Sequence, residues 1–409
     1  KCKPVFHLVD TYRLNSHSKS DDYRDKVEIE NYQKIDPLNL FIEKNNLAYV
    51  DMLKSINNRI NKAITESEQD KEQTGEDYSD EEIETEKNSY VPIEKIDERV
   101  ISRINLFFHE VLSKDKSVVF IGEDVLSPYG GAFKASAKLS EKYPENVITT
   151  PISEQSITGL ANGMALGGYK PYLEIMFGDF MTLSMDQIIN HASKFHHMYN
   201  KKVECPVVIR TPMGGGRGYG PTHSQTLDKF LAGVDNVKLI ALNSFIDPKL
   251  IYEEIHQNEN HPVIVFVNKI DYGRFLSDKD QKNYFLERST TQYPSAKCSP
   301  MLVDPTLTIV SYGGISSDIF ENLNDIFHET ELIPELIVIS KISPIDIKPI
   351  ITSVKKTNNI IIIEEGSTPF GIGSEILSLT IEAIGANNMN IMHRIGSFPV
   401  PIPSARSLE

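Results

Sequence analysis

The chain has 409 residues, 40% of them hydrophobic and 24% charged, with a formal net charge of -15. That length exceeds what one core organises, so two or three domains are expected, and the acidic balance argues against nucleic acid or an anionic membrane as partner. No apolar run reaches the ~18 residues of a membrane helix, and Cys2, Cys205 and Cys298, odd in number and far apart, read as reduced thiols rather than a disulfide framework or a zinc site.

Val5–Val9 reads as a buried strand with no methionine ahead of it, so the chain is expected to be a piece of something longer. Asp10–Arg24 is polar and loop-like. Asp36-Pro37-Leu38 then opens a helix, and a second helix is expected over Leu47–Ile64 with apolar spacing at Met52, Ile56 and Ile60. Residues 1–65 thus read as the end of one domain. Between Glu66 and Glu86 stand eleven acids against Lys71 alone. Such a segment buries too little surface to offset its ordering entropy, and 66–92 is expected to be a disordered acidic linker.

Beyond it, Ile96–Leu112 is an amphipathic helix and Ser117–Val125 a buried strand. Asn146–Thr150 is strand-like and ends at Pro151, Ile152, Ser153 and Glu154. A helix of small residues follows, Ser156–Gly168, whose four glycines predict close packing against another backbone. Glu154 is therefore expected at the first turn of a buried helix, at the end of a strand, where a carboxylate needs a partner. Elements then alternate over Lys170–Phe177, Met185–Tyr199, Val207–Thr211, Val237–Ala241, Asp247–Gln257 and Pro262–Asn268. Short apolar runs between helices predict a parallel sheet covered on both faces, with ligands outside the carboxyl ends of its strands. Glu154, Phe180 and His223 all follow strands, so one cleft is able to collect them. Gly214–Gly220 is neither of the phosphate-binding glycine motifs and reads as a loop folded over the site. His191, His196 and His197 lack a carboxylate at ligand spacing and read as surface or interface residues. A second α/β domain is expected over 300–409, after a first over 93–290, with strands at Leu307–Gly313, Leu336–Ile339 and Ile360–Ile363 and helices at Ser316–Phe327, Ile347–Lys356 and Gly373–Ile384.

Gly130-Gly131-Ala132-Phe133-Lys134, then Thr150-Pro151-Ile152-Ser153-Glu154, then Glu174–Phe180, then Pro221-Thr222-His223-Ser224-Gln225 occur in that order. Over residues 96–409 the chain resembles the beta subunit of the thiamine-diphosphate-dependent 2-oxo acid dehydrogenases, first component. Tyr12-Arg13, His17-Ser18-Lys19-Ser20-Asp21-Asp22 and Tyr23-Arg24 resemble the active-site loop near the end of the alpha subunit, closest to the branched-chain type. The arrangement reads as a natural alpha–beta fusion cut at both ends, whose fused chain forms a homodimer equivalent to an alpha2-beta2 assembly. By composition alone His17 and His223 read as exposed loop histidines.

The resemblance implies transketolase-like parallel-sheet domains with helices on both faces: a pyrimidine-binding domain and a transketolase C-terminal domain, preceded by the end of a diphosphate-binding domain. It implies oxidative decarboxylation of a 2-oxo acid, a branched-chain acid slightly ahead of pyruvate, with reductive acylation of a lipoyl group on a dihydrolipoyl acyltransferase core. Glu154 matches the glutamate that hydrogen-bonds the cofactor's aminopyrimidine, Phe180 the aromatic packed on that ring, and Ile152 a further cofactor contact. His223 matches the histidine that handles protons of the bound substrate and the lipoyl group, His17 a residue of the substrate and cofactor site, Arg13 a contact to the diphosphate, and Ser18 the serine that regulatory kinases modify. Magnesium is implied through a GDG…N motif; none occurs in this sequence, so its ligands are expected upstream of Lys1. Potassium is implied at the backbone carbonyls of Val207, His256, Glu259 and His261. A cytoplasmic location is expected, with an organelle matrix open. A transketolase- or deoxyxylulose-phosphate-synthase-like enzyme and a non-catalytic assembly subunit are the alternatives.

Overall fold

The computed structural model describes residues 6–16, 23–70, 89–276, 281–405 and 407–408. The chain divides into two units, Lys1–Thr85 and Glu86–Glu409.

In the first unit, α1 (Lys26–Lys34) and α2 (Pro37–Lys44) each start at an aspartate whose side chain accepts backbone N–H groups, Asp25 from Val27 and Asp36 from Leu38 and Asn39. Pro37 suits the first helical position because its missing N–H would go unused there. The second helix, α3 (Asn46–Gln69), outruns the expected Leu47–Ile64 and carries Glu66 and Glu68 of the acidic segment in its last turns. Residues 71–88 lie outside the described residues, and 90–92 form a strand of the second unit. Two further expectations change here. The strand at Val5–Val9 is not formed over its described part: Phe6, Leu8 and Val9 are exposed and carry no regular structure, because no strand stands among the described residues of this unit to pair with them. The stripe Met52, Ile56 and Ile60 is helical as read but faces outward.

The second unit begins with β1 (Tyr90–Pro92), α4 (Val100–Lys114), β2 (Val118–Gly122), α5 (Leu139–Lys142), β3 (Val147–Thr149), α6 (Glu154–Leu166) and β4 (Lys170–Glu174). A 3₁₀ turn (Gly178–Ser184) and a π-helical stretch (Gln187–Ala192) lead into α7 (Ser193–Met198), so the expected helix over Met185–Tyr199 is three pieces. Then come β5 (Val208–Met213), β6 (Lys238–Ala241), α8 (Pro248–Asn258), β7 (Val263–Asn268), β8 (Tyr284–Ser289), β9 (Ala296–Pro300) and β10 (Leu307–Ser311). The last elements are α9 (Ile315–Glu321), α10 (Leu323–Thr330), β11 (Pro334–Val338), β12 (Lys341–Ser343), α11 (Lys348–Thr357), β13 (Asn359–Ser367), α12 (Ile372–Ile384) and β14 (Ile391–Ser397).

Seven strands form a first sheet in the order β12-β6-β7-β5-β4-β2-β3, parallel except for β12 at its edge. Seven form a second, β1-β8-β9-β11-β10-β13-β14, parallel only over β11-β10-β13-β14. Each sheet thus borrows edge strands from chain nearer the other: β12 lies downstream of β10 and β11 but pairs with β6. The boundary expected at 290–300 runs through the β8–β9 hairpin, which belongs wholly to the second sheet.

Every residue of β2 is buried, which is why its apolar run is unbroken. Phe120 points to one face, against Phe108 of α4 at 4.8 Å between ring centres; Ile121 points to the other, into the cluster holding Ile157 of α6. The glycines of α6 do not meet a facing backbone. A side chain at Gly163 would find open space, one at Gly159 would touch Gln187, and Gly167 and Gly168 end the helix. Gly167 and Gly168 thus serve as a stop signal rather than as part of a packing groove.

Candidate active site

Strand order reverses at β2, which has β3 on one side and β4 on the other. Loops leaving such a point part in opposite directions and open a crevice at the carboxyl ends of the strands. Thr149, Gly122, Glu174 and Arg210 stand in register across β3, β2, β4 and β5 at that end. Glu174 and Arg210 are both buried and form an ion pair; Arg210 also donates to the Tyr272 hydroxyl. Gly131 of the Gly130–Lys134 segment lies against the Glu174 carboxylate with a positive φ of 77°, and a Cβ there would come within 2.7 Å of it. Its neighbour Phe133 stacks on Tyr272 with 5.0 Å between ring centres.

Glu154 is the first residue of α6 and is 6% exposed. Its main-chain carbonyl accepts the hydroxyls of Thr158 (2.7 Å) and Ser184 (3.0 Å). Ser184 ends the 3₁₀ turn that carries Phe180, so these bonds fasten that turn to the mouth of α6. No hydrogen bond reaches the Glu154 carboxylate among the described residues. Ahead of it, the Ser153 N–H donates to Glu123 at 2.9 Å. Burial and the neighbouring Glu154 charge push the Glu123 carboxyl up from its ordinary value, against the pull of that N–H.

The third part of the site is the loop after β5. Gly214, Gly216, Gly218 and Gly220 all have positive φ, which side-chain-bearing residues adopt only at a cost. The loop ends at His223, whose half-buried ring lies edge-on to Phe177 (4.9 Å) and Phe180 (5.1 Å). Its Nδ1 lies 2.9 Å from the Thr222 hydroxyl. Asp179 accepts the Gln225 N–H at 3.4 Å through one carboxylate oxygen while the other is buried without a partner. Burial holds that carboxyl above its ordinary value.

The structure ties Glu154 to the turn that carries Phe180 and sets His223 against Phe180, with Ile152, 76% exposed, just before the first of them. A carboxylate without a partner beside an exposed aliphatic side chain and an aromatic face suits a flat heterocycle with a hydrogen-bonding edge, and so fits the aminopyrimidine half of thiamine diphosphate. Arg13 belongs to the first unit, where it is exposed and its carbonyl accepts from Arg24 at 2.5 Å. His17 and Ser18 lie outside the described residues.

At the four residues expected around potassium, the Val207 carbonyl accepts the Val263 N–H and the His256 carbonyl accepts the Lys170 ammonium, each at 3.0 Å. The Glu259 carboxylate is taken by Lys238 and the Tyr293 hydroxyl, and the His261 ring lies edge-on to His196. His196 also bonds the Val203 carbonyl, and half-buried His191 lies 3.6 Å from Asp186. Sequence reasoning passed over Glu123, Asp179, Arg210 and Lys269. For Glu123 and Lys269 the signal was a charged residue directly after an apolar strand run, Gly122-Glu123 and Asn268-Lys269; Arg210 lies inside β5 and Asp179 in the 3₁₀ turn, where local pattern gave no such mark.

Residues 100–274 match the family model "Transketolase, pyrimidine binding domain", and 302–409 match "Transketolase, C-terminal domain". The chain is 33% identical over 309 residues to the mitochondrial pyruvate dehydrogenase E1 component subunit beta of Dictyostelium discoideum, covering 75% of this chain and 84% of that one. It is 31% identical to the pyruvate dehydrogenase E1 component subunit beta of Rickettsia bellii, covering 73% and 89%. A solved structure described as a split gene transketolase, inactive beta4 tetramer, superposes with a TM-score of 0.54 at 15% identity, covering 73% of this chain and 87% of that one, which speaks to the fold alone. No helix among the described residues is long and apolar enough to cross a membrane. With the crevice built as it is and relatives of this identity covered over most of their length, the chain belongs to the beta-type component of the thiamine-diphosphate-dependent 2-oxo acid dehydrogenases.

Proposed function

We infer that this chain, assembled with a diphosphate-binding partner domain, decarboxylates a 2-oxo acid and passes the acyl group to the lipoyl group of a partner acyltransferase. Carbon dioxide leaves the acid, one sulfur of the lipoyl disulfide takes the acyl group, and the other is reduced to a thiol. Thiamine diphosphate, when bound, supplies the nucleophilic carbon and the electron sink for the decarboxylation.

The observation that carries the reading is Glu154: buried at the mouth of α6, its carboxylate met by no donor among the described residues and its main-chain carbonyl fastened to the turn that bears Phe180. Its part is to hold and return a proton at the ring edge, while Phe180 gives that ring a flat apolar seat. His223, set between two aromatic rings at the end of a glycine-rich loop, exchanges protons with substrate and lipoyl sulfur. By resemblance, His17 would serve the substrate and cofactor and Arg13 would contact the diphosphate in the assembled enzyme, with the magnesium ligands supplied by the partner domain. On the same ground, potassium at the Val207, His256, Glu259 and His261 carbonyls would brace the amino-terminal ends of β5 and β7. Thermal unfolding in potassium chloride against choline chloride tests that ion.

The Tyr12–Arg24 segment favours an alpha–beta fused chain and a branched-chain acid, whereas the relatives named above are pyruvate enzymes. The deciding experiment measures cofactor-dependent carbon dioxide release from pyruvate and from 3-methyl-2-oxobutanoate by the assembled enzyme. Turnover of one acid names the substrate. A folded, cofactor-loaded enzyme that turns over neither acid would overturn the reading in favour of an assembly subunit.

A further inference from the structure

Lys269 follows the last residue of β7 and is fully buried, an unusual place for an ammonium group. A buried charge is tolerated only where the fold satisfies it. Here the Nζ donates to the Gly214 carbonyl at 2.9 Å and to the His223 carbonyl. It also stands 5.4 Å from the centre of the Phe177 ring, and its charge acts on the Asp179 and Glu365 carboxylates. The two carbonyls are the first and last of the glycine loop. One ammonium therefore closes the loop across nine residues of sequence separation. The Lys269 carbonyl in turn accepts from Arg217, in the middle of the same loop, at 2.9 Å.

This loop has no regular structure of its own, and four of its glycines sit at positive φ. A glycine-rich backbone has much conformational entropy to lose. A compact cation with three donors can gather carbonyls arriving from different directions. His223 reaches the crevice only if the end of the loop is held, and the Phe177 ring that flanks His223 is the ring that faces the Lys269 ammonium.

We propose that Lys269 is the positioning residue of His223: its buried ammonium sets the loop end and thereby the place of the imidazole between Phe177 and Phe180. This rests on the role assigned to His223 above. The test is a double-mutant cycle in the assembled, cofactor-loaded enzyme, with wild type, Lys269→Met, His223→Ala and the double variant compared in kcat/KM for lipoyl acylation. Misplacing a catalytic group by an ångström costs on the order of 10²-fold. Lys269→Met is expected to lose about that factor, and the double variant to be no slower than His223→Ala alone, because a residue that acts through His223 has nothing left to act on.

A second measurement needs no turnover: trypsin cleavage after Arg217 is expected to accelerate in Lys269→Met and not in His223→Ala. Losses that multiply in the double variant, or wild-type acylation by Lys269→Met, overturn the proposal. Should Lys269→Met fail to fold, Lys269→Gln, which keeps donors without charge, takes its place in the cycle. Failure of both to fold makes the residue a structural one and overturns the proposal as well. Faster cleavage at Arg217 in an enzyme that acylates nothing would instead count against the role given to His223 and to the enzyme.

Discussion

Glu154 and Glu364 make an instructive pair. Each is a buried glutamate near the N-terminus of a helix, one in each half of the second unit. The Oε2 atom of Glu364 accepts the Tyr312 hydroxyl at 3.3 Å and the Gly373 N–H of α12 at 3.4 Å, while its Oε1 is buried without a hydrogen-bond partner among the described residues. The Glu154 carboxylate meets no donor among the described residues, although its own main-chain carbonyl is held by two hydroxyls. A carboxylate at a helix start is ordinary, since the dipole favours it there. What separates a structural acid from a candidate reactive one is whether the protein supplies the partner or leaves that place open.

The same substitution in both halves gives the largest expected contrast. Glu154→Gln should cut decarboxylation by about 10²–10⁴-fold while leaving the thermal midpoint near wild type; Glu364→Gln should leave turnover in place. An active Glu154→Gln enzyme would remove the functional side of the contrast.

Next in size is a stability effect that belongs to the first sheet alone. Glu174→Leu leaves the Arg210 guanidinium buried without its counter-charge, which should cost about 3–5 kcal/mol in urea unfolding. A cost below about 1 kcal/mol would mean that the pair is not closed off from water as the fold indicates.

A smaller effect belongs to Glu364 and shows with pH. Burial, ahead of the neighbouring Asp228 charge, pushes the Glu364 carboxyl up to about 7, while Tyr312, the Gly373 N–H and Arg394 pull it down. The folded state therefore keeps this proton after the unfolded chain has released it. Its contribution is fully present below the unfolded value of about 4.3 and is lost as pH rises toward 7. Glu364→Gln should flatten the fall in stability over that window, and an unchanged slope between the two proteins would refute the assignment.

Smallest is a thiol test of the two cores. Burial pushes Cys205 up to about 12 and raises Cys298 as well. In a Cys2→Ser background, neither should react with a disulfide reagent at pH 8 until the protein unfolds.

Much of this was legible beforehand. The β3–Glu154–α6 sequence was read from a β-run ended by proline and followed by small helix formers, and the structure starts α6 at Glu154. The helix starts at Asp36 and Asp247 and the strand β7 fell within a residue of where local pattern put them, because apolar runs and capping side chains act over a few residues, whereas β5 and β10 end two residues away from the expected ends and β13 continues four residues past Ile363. The order of the four motifs carried the family. The antiparallel edges were not legible: β12 joins the first sheet and β8 and β9 the second through pairings between residues far apart in sequence. For the same reason the sequence could mark Gly214–Gly220 as a tight loop but not show what closes it. That answer belongs to Lys269, some fifty residues downstream, whose ammonium meets the loop only when β7 is laid beside β5.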